Sequence, residues 1–198
     1  MQTLFTIVAI LLILFLIFQS LIKMSTSGTE KQPYRVVKRE KGMEIRFYPA
    51  ATLASVQTSA RNYRELANSS FRRVAGYIFG GNDASMKIAM TSPVHMDISD
   101  SGSSMGFVMP AEYHADDLPK PNDPGISILK TPDEYVAAIT FSGFATDQSI
   151  SEHAHELEKM LREKGIPFHG HFRYLGYNPP YQIIGRKNEV IVTVEWKE

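Results

Sequence analysis

The order of the predicted elements repeats along the chain, and this repeat constrains the fold more than any other feature. Strands, a helix and further strands are predicted in residues 34–110, and the same order returns in residues 125–197. Apolar residues at helical spacing predict the helices, over residues 62–79 and 147–164, and a glycine follows each. The predicted buried stripes are Tyr63, Leu66, Ser70, Val74 and Tyr77 on the first helix and Ile150, Ala154, Leu157 and Leu161 on the second. Because halves of this size are poor domains alone, we predict one α+β domain in which two helices cover a largely antiparallel sheet.

Alternation of apolar and polar residues predicts the strands of both halves. The predicted strands are 34–39, 43–48, 51–59, 87–90, 94–98, 104–109, 126–130, 134–141, 170–174 and 188–196. Asp100-Ser101-Gly102-Ser103 is predicted as a hairpin turn, and Asp147 as the N-cap of the second helix. The proline-rich segment 110–124 is predicted as a long surface loop, a kind of segment that often carries binding function.

The N-terminal residues differ in kind from the rest. Residues 3–22 contain no charge, and a helix of that length spans about 30 Å, the thickness of bilayer hydrocarbon. The start lacks the basic residues of a signal peptide, and Gln19-Ser20-Leu21-Ile22 is a poor cleavage site. We therefore predict an uncleaved transmembrane anchor over residues 1–24 that contacts the bilayer through residues 3–22, with a cleaved signal peptide as the alternative.

Basic residues follow the span and none precedes it, which favours a cytoplasmic domain, although long domains can be translocated against this bias. The polar segment 25–33 is predicted as a tether, and residues 34–197 as the domain itself.

Composition excludes several functions. Lys plus Arg number 21, as do Asp plus Glu, so no basic surplus exists to neutralise nucleic-acid phosphates. The chain has no cysteine, which excludes disulfides, thiolate catalysis and Cys-ligated metals. The sequence also contains no nucleophile elbow, phosphate-binding loop, dinucleotide fingerprint or zinc-protease motif. We predict a protein that is not an enzyme.

The histidines and glutamates do not form a clear site. His153 and His155 lie about 200° apart on a helix, so they cannot share one metal ion. His169 and His171 would share one face of a strand, but two neutral ligands without a carboxylate make a weak site, and we predict no metal. Glu134, Glu152 and Glu156 have no evident partner carboxylate, so an acid–base pair is unsupported.

The segment Lys87–Met96 admits two interpretations. Ile88, Met90, Val94 and Met96 alternate, which from spacing alone favours side chains that fill a core. The alternative is a Met-rich apolar surface that meets a flat, soft ligand. Pro93 has no N–H to donate to a sheet, so it marks an edge, a bulge or a loop.

Several motifs resemble the SOUL haem-binding family. They are Lys87-Ile88-Ala89-Met90-Thr91-Ser92-Pro93-Val94, Phe107-Val108-Met109-Pro110, Gly176-Tyr177-Asn178-Pro179-Pro180 and Arg186-Lys187-Asn188-Glu189-Val190. Tyr34, Glu44-Ile45-Arg46-Phe47-Tyr48 and Gly80-Gly81-Asn82 fit the same pattern. The resemblance covers residues 33–196. It implies a distorted, mostly antiparallel β-barrel of two similar halves flanked by two long helices, and weak, reversible binding of haem or another porphyrin without catalysis.

The resemblance also implies a site, an open hydrophobic groove beside the first helix. The residues expected to bind the tetrapyrrole are Phe71, Arg72, Ala75, Tyr77, Ile78, Met86, Met90 and Met96. Haem is a flat apolar plate with two carboxylates, so aliphatic, Met and aromatic contacts with a few basic side chains suit it. Arg72 or Arg73 would meet a propionate, and the alternative for each is a solvated helix arginine.

The chain departs from the family at the positions credited with binding. Phe47 occupies the place of an axial histidine found in one branch, and it cannot ligate iron. Tyr77 and Gln182 occupy the places of basic residues used in the other branch. Tyrosine can ligate ferric haem, so Tyr77 is a conceivable ligand.

Three functions follow from these observations. The first is a membrane-tethered tetrapyrrole-binding protein that buffers, carries or delivers its ligand. The second is a scaffold that holds a protein partner through the same groove or the loop 110–124. The third is an enzyme acting on a small hydrophobic molecule, since the architecture resembles GyrI-like ligand-binding domains, in which a buried glutamate matters; the sequence places no glutamate in a pocket.

Overall fold

The structure, a computed structural model, describes residues 1–99 and 102–197. Its helices are α1 (Gln2–Ser27), α2 (Tyr63–Ile78) and α3 (Asp147–Glu163). Its strands are β1 (Glu30–Lys31), β2 (Arg35–Glu40), β3 (Met43–Tyr48), β4 (Thr52–Thr58), β5 (Thr91–Ser92), β6 (Val94–Ser99), β7 (Gly102–Val108), β8 (Ile126–Lys130), β9 (Glu134–Phe141), β10 (Phe168–Gly176) and β11 (Asn188–Val194). Asp100 and Ser101, in the predicted hairpin turn, lie outside the described residues.

Nine strands form one antiparallel sheet in the order β2-β3-β9-β11-β10-β6-β7-β4-β8, and β1 pairs with β5 in a separate parallel pair. Apart from the edge strand β2, which has no counterpart, the order is symmetrical about the β10–β6 pair. The unit β4-α2-β6-β7 of the first half corresponds to β9-α3-β10-β11 of the second. The strand that precedes each unit in sequence pairs with the unit of the other half: β3 of the first half pairs with β9, and β8 of the second half pairs with β4. Because each half supplies a strand to the other, the two halves form one domain.

The mostly antiparallel sheet is as expected, but it does not close into the expected barrel. Within the described chain β2 pairs only with β3, and β8 only with β4, so both are edge strands of an open sheet. The edge strand β2 carries exposed charges at Arg35, Lys38 and Arg39, and charged edges resist further strand pairing. The fold is α+β, mostly antiparallel, with three helices.

Helices α2 and α3 cover one face of the sheet. α2 packs on β4, β6 and β7, and α3 packs on β9, β10 and β11. The buried stripes are those predicted from spacing, with Leu66, Val74 and Tyr77 on α2 and Leu157 and Leu161 on α3. These side chains share a single core with alternate strand residues.

The N-cap of α3 is one residue earlier than predicted. Thr146 caps the helix, and its hydroxyl accepts a hydrogen bond from Ser149 N at 3.1 Å. Asp147 is the first helical residue, and its carboxylate accepts a hydrogen bond from Tyr63 N at 2.6 Å. Asp147 therefore joins the starts of α2 and α3.

The predicted strand 87–90 is not a strand. Lys87 forms an isolated bridge with Phe79, and Ile88 N donates to Ile78 O at 2.8 Å, which lays this segment beside the end of α2. Ile88 is buried, whereas Met90 is 38% exposed. The inward alternation predicted for both fails because the segment follows a helix end rather than a sheet ladder.

Helix α1 is apolar and almost wholly exposed, with only Gln19 and Ile22 buried. Its length and composition are those of a membrane-spanning helix or a signal sequence. The segment 25–33, predicted as a tether, contains the end of α1 and the strand β1, which pairs with β5. The segment is therefore joined to the domain by backbone hydrogen bonds.

Candidate functional site

The residues expected to bind a tetrapyrrole fall into two sets. Ala75, Tyr77, Ile78 and Met96 are buried in the core beneath α2. Phe71, Arg72 and Met90 are exposed, and Met86 is half-buried. Only the second set is available to a ligand from solvent, so the structure divides the predicted groove into a floor of core residues and an accessible rim.

The exposed residues of α2 and of the segment that follows it are here called the α2 surface, which comprises Phe71, Arg72, Gly76, Phe79 and Met90. Phe79 is 60% exposed and Phe71 37% exposed, the latter with its ring 5.4 Å from that of Phe107. A methyl group added at Gly76 would meet no described atom within 4 Å. The missing side chain leaves open space on the helix that carries Phe71.

Glycine also ends α2. Gly80 has φ of 107°, and Gly81 N donates to Gly76 O at 2.8 Å while Gly80 N donates to Tyr77 O at 3.3 Å. These two bonds form a Schellman motif, which stops the helix and turns the chain back along it. The turn brings Lys87 and Ile88 beside the helix end that carries Phe79, and Met90 follows two residues later.

Tyr77 is not free to ligate iron. Its side chain is 1% exposed, and its hydroxyl donates a hydrogen bond to Pro119 O at 3.0 Å. Burial raises the pKa of the Tyr77 phenol, which disfavours the phenolate that iron would require. The tyrosine fastens the loop 110–124 to α2.

The two arginines predicted to meet a propionate differ. Arg73 forms a two-pronged ion pair with Asp123, with both N–O distances 2.7 Å, and this pair lowers the pKa of Asp123 to about 2. Arg72 is exposed and has no recorded partner in the described ranges. Lys87, also exposed, is a second cation beside the end of α2 that sequence reasoning did not single out.

The two family positions that depart from the pattern lie away from the α2 surface. Phe47 is on β3, which is separated from β6 by three strands, and its ring lies 5.1 Å from that of Tyr135. Gln182 is 1% exposed, and its side chain accepts a hydrogen bond from Thr26 on α1 at 3.1 Å. Neither residue can contact a ligand on α2.

A buried charge cluster occupies the opposite face of the sheet. Glu189 accepts two hydrogen bonds from Arg46, each 2.9 Å, and further bonds from Tyr177 at 2.6 Å and Thr140 at 3.0 Å. Sequence reasoning missed this glutamate because a lone carboxylate in an apolar strand carries no local signal. Its oxygens are fully engaged, so Glu189 is arranged as an anchor for Arg46 rather than as a general base.

A partly open cavity of about 320 Å³ lies elsewhere. It lies between the start of β4, the end of β7 and the following residues 109–114, and none of its lining residues belongs to α2. The volume is at the lower end for a small-molecule site. This cavity therefore does not include the α2 surface.

The family of the chain is shown by its sequence. Residues 29–193 match the family model described as SOUL heme-binding protein. The chain belongs to the SOUL heme-binding protein family. Its relatives include human heme-binding protein 2, which is 30% identical over 155 residues and covers 74% of this chain and 75% of that protein. Heme-binding protein 1 of Xenopus laevis is 29% identical, covering 82% of this chain and 91% of that protein.

Solved structures share the fold of this SOUL domain. The C-terminal domain of EcmrR superposes with a TM-score of 0.60 at 10% identity, covering 83% of this chain and 99% of that one. A hydrolase from Listeria innocua gives a TM-score of 0.55 at 10% identity, covering 80% of this chain and 94% of that one. At identities this low, the similarity shows a shared fold and carries no information about function.

Metal binding by this SOUL domain gains no support from its histidines. His169 and His171 flank Gly170, which has φ of 78°, and the β10–β11 register shifts after His169, so the regular strand face assumed for them is broken. His153 instead stacks on Phe141 with ring centroids 4.0 Å apart. No group of three His, Cys, Asp or Glu side chains comes together within residues 1–99 and 102–197.

Proposed function

We propose that this SOUL protein is a membrane-anchored, non-catalytic protein that binds haem or another porphyrin weakly and reversibly on the α2 surface. The observation that carries the proposal is the group of exposed apolar side chains on the α2 surface of a member of a heme-binding family. Two exposed phenylalanines and a methionine form this group. Such side chains suit the face of a porphyrin ring.

The residues present fit the porphyrin better than they fit its iron. Phe71, Phe79 and Met90 offer apolar contact, and Arg72 and Lys87 offer charges for the propionates. When bound, haem would supply a redox-active iron, for which neither α2 nor residues 86–90 provide a histidine. Binding through the ring and the carboxylates explains why the family's histidine position can be filled by phenylalanine.

The anchor gives the binding surface a place at the membrane. Strand β5, which follows Met90 directly, pairs with β1, and β1 begins three residues after the end of α1. One border of the α2 surface is therefore tied to the base of the anchor. Haem partitions into bilayers, so a tethered acceptor meets it at a high local concentration. The basic residues after the span favour the cytoplasmic side.

Haemin titration of the full chain in lipid nanodiscs tests the proposal, with empty nanodiscs correcting for haemin in the lipid. Phe79→Asp and Met90→Asp should each lower the haemin affinity, read from the saturable Soret shift, about tenfold or more. Each variant removes apolar contact worth roughly 1.5 kcal/mol. Leu129→Asp on β8 is the matched control, because Leu129 is 47% exposed and alternates with Ile128, which packs into the core beneath α2, so Leu129 lies on the opposite face of the sheet. Equal affinity in all three variants would contradict the α2 site.

A protein-interaction role is the second candidate, favoured by the openness of the α2 surface and by the exposed loop tip of residues 110–124. It predicts haemin uptake no greater than that of empty nanodiscs. It also predicts a protein captured by the wild type and lost with Phe79→Asp. The titration therefore separates the two functions.

A further inference from the structure

A polar side chain within the apolar anchor contacts the domain. Gln19 lies four residues before Lys23, the first charged residue after the span, and it is 4% exposed. Its amide oxygen accepts hydrogen bonds from Ile183 N at 2.8 Å and Ile184 N at 3.4 Å, and its amide nitrogen donates to Tyr181 O at 3.3 Å. The Gln19 side chain thus forms hydrogen bonds with three backbone groups of the loop that joins β10 to β11. This loop, residues 177–187, is here called the β10–β11 loop.

The β10–β11 loop is braced for this contact from within. Arg186 donates two hydrogen bonds of 2.7 Å, to Pro179 O and Gln182 O. The buried side chain of Gln182 donates to Ile184 O at 3.1 Å and accepts from Thr26 on the anchor at 3.1 Å. The loop therefore holds a defined shape against α1, and Gln182, which replaces a basic residue of the family, serves this contact.

The bracing leaves apolar side chains facing outward beside the anchor. Tyr181 is 60% exposed and Ile183 and Ile184 are about half exposed, while Phe144 lies next to the loop with its ring 4.5 Å from the Arg186 guanidinium. Exposed clusters of large apolar side chains mark binding surfaces in soluble proteins. Here the cluster borders a helix whose own apolar surface is suited to lipid.

We propose that the β10–β11 loop and Phe144 dip into the membrane interface and bind lipid, so that the domain is held on the bilayer in one orientation. Gln19 lies about 6 Å, one helical turn, inside the first charge that follows the span. The loop backbone bonded to it therefore reaches the level of the interface. Tyrosine and aliphatic side chains flanked by lysine are the composition of interfacial contacts.

Lipid is favoured over a protein partner because the loop is continuous with the spanning helix. Polar backbone groups at membrane depth require partners within the protein, and the bonds to Gln19 supply them for Ile183 and Ile184. A glutamine in an apolar span is costly unless paired, and the loop pairs it. This inference rests on the membrane anchor of the proposed function and is independent of porphyrin binding.

Single-cysteine labelling of the full chain tests the proposal directly, because the chain contains no cysteine of its own. Nitroxide labels at Ile183→Cys and, as a matched control, Leu129→Cys are compared in phosphatidylcholine nanodiscs; these residues are 49% and 47% exposed. A third label at Leu12→Cys reports the middle of α1. The measured quantity is relaxation by oxygen, which concentrates in lipid, relative to relaxation by a water-soluble nickel chelate.

The proposal expects an oxygen-to-nickel ratio at position 183 that is several-fold higher than at position 129 and lower than at position 12. A ratio at 183 equal to that at 129, with position 12 in lipid, would overturn the loop contact while leaving the anchor in place. Water-like ratios at all three positions would overturn both the loop contact and the anchor. Either result leaves the haemin titration to decide porphyrin binding separately.

Discussion

The carboxylate of Glu189 receives two hydrogen bonds of 2.9 Å from the guanidinium of Arg46, and both side chains are almost completely removed from solvent. Arg46 lies on β3 and Glu189 on β11, with β9 between them. Thr140 on β9 donates to the same carboxylate. The ion pair and the Thr140 hydrogen bond therefore join three strands, on the sheet face that the helices leave uncovered.

Removing one partner of this pair should be costly. Arg46→Met removes the two-pronged partner of the buried carboxylate and leaves the half-exposed Lys187 ammonium, 2.9 Å from Glu189, as its remaining counter-charge, so we expect the free energy of unfolding to fall by about 3 kcal/mol. The double variant Arg46→Met/Glu189→Leu should recover much of this loss, because it leaves no buried charge. Denaturant titration of the nanodisc-bound chain measures both. A single variant as stable as the double would contradict the assignment.

The same pair predicts acid sensitivity. Burial alone would raise the pKa of Glu189, but the hydrogen bonds and charge of Arg46 outweigh it and lower the pKa from 4.5 to about 2. A lowered pKa in the folded state means that the stabilisation is complete above pH 4.5 and is lost as the pH falls towards 2. The free energy of unfolding should fall through this window in the wild type and fall less in Glu189→Gln. Parallel pH profiles would exclude the carboxylate as the cause.

Local patterns predicted the elements well and their assembly less well. Strands 43–48, 126–130 and 134–141 were predicted with the bounds that the structure shows, because each alternates or is bounded by turn residues. The open sheet was not predicted. Its order depends on β3 and β8 pairing across the two halves, and no local pattern encodes such an exchange.

The site shows the same division between local and long-range information. Helical spacing placed Tyr77 in the buried stripe of the helix, whereas the family resemblance made it a conceivable ligand of haem iron. The structure agrees with the spacing, because Tyr77 is buried. Gly76 was not singled out because a glycine has no side chain to classify. The pair formed by Arg46 and Glu189, which are 143 residues apart, became visible only when the sheet order was known.

Two substitutions at Gly76 should have different effects on stability and on haemin binding. Its position is helical and open to solvent, so Gly76→Ala should raise the free energy of unfolding by about 1 kcal/mol. Gly76→Leu should also fold normally but obstruct a plate lying on the α2 surface, so haemin affinity should fall several-fold. Thermal unfolding and haemin titration of both variants check the prediction. Unchanged haemin affinity in Gly76→Leu would move the ligand off this surface.

Binding should depend little on the iron. The α2 surface has no histidine, and the Tyr77 hydroxyl is committed to Pro119 O. Metal-free protoporphyrin should therefore bind with an affinity similar to that of haemin, as measured by absorbance titration in nanodiscs. Tyr77→Phe should leave both affinities unchanged while costing about 1 kcal/mol of stability for the lost hydrogen bond. A strong preference for haemin that Tyr77→Phe abolishes would restore Tyr77 as the ligand.

The contact between the anchor and the β10–β11 loop should depend on Gln19. Gln19→Leu keeps the span apolar but removes the acceptor for Ile183 N and the donor to Tyr181 O, and leaving a buried N–H unpaired costs about 1–3 kcal/mol. A nitroxide at Ile184→Cys should then give a narrower, more mobile spectrum. Gln2→Leu, the same change at the exposed start of α1, should leave the spectrum unaltered. Haemin affinity should not change in Gln19→Leu, because the loop would lose its fixed position at the membrane while the α2 surface stayed intact. A nitroxide spectrum of Gln19→Leu identical to that of the wild type would show that Gln19 does not hold the loop.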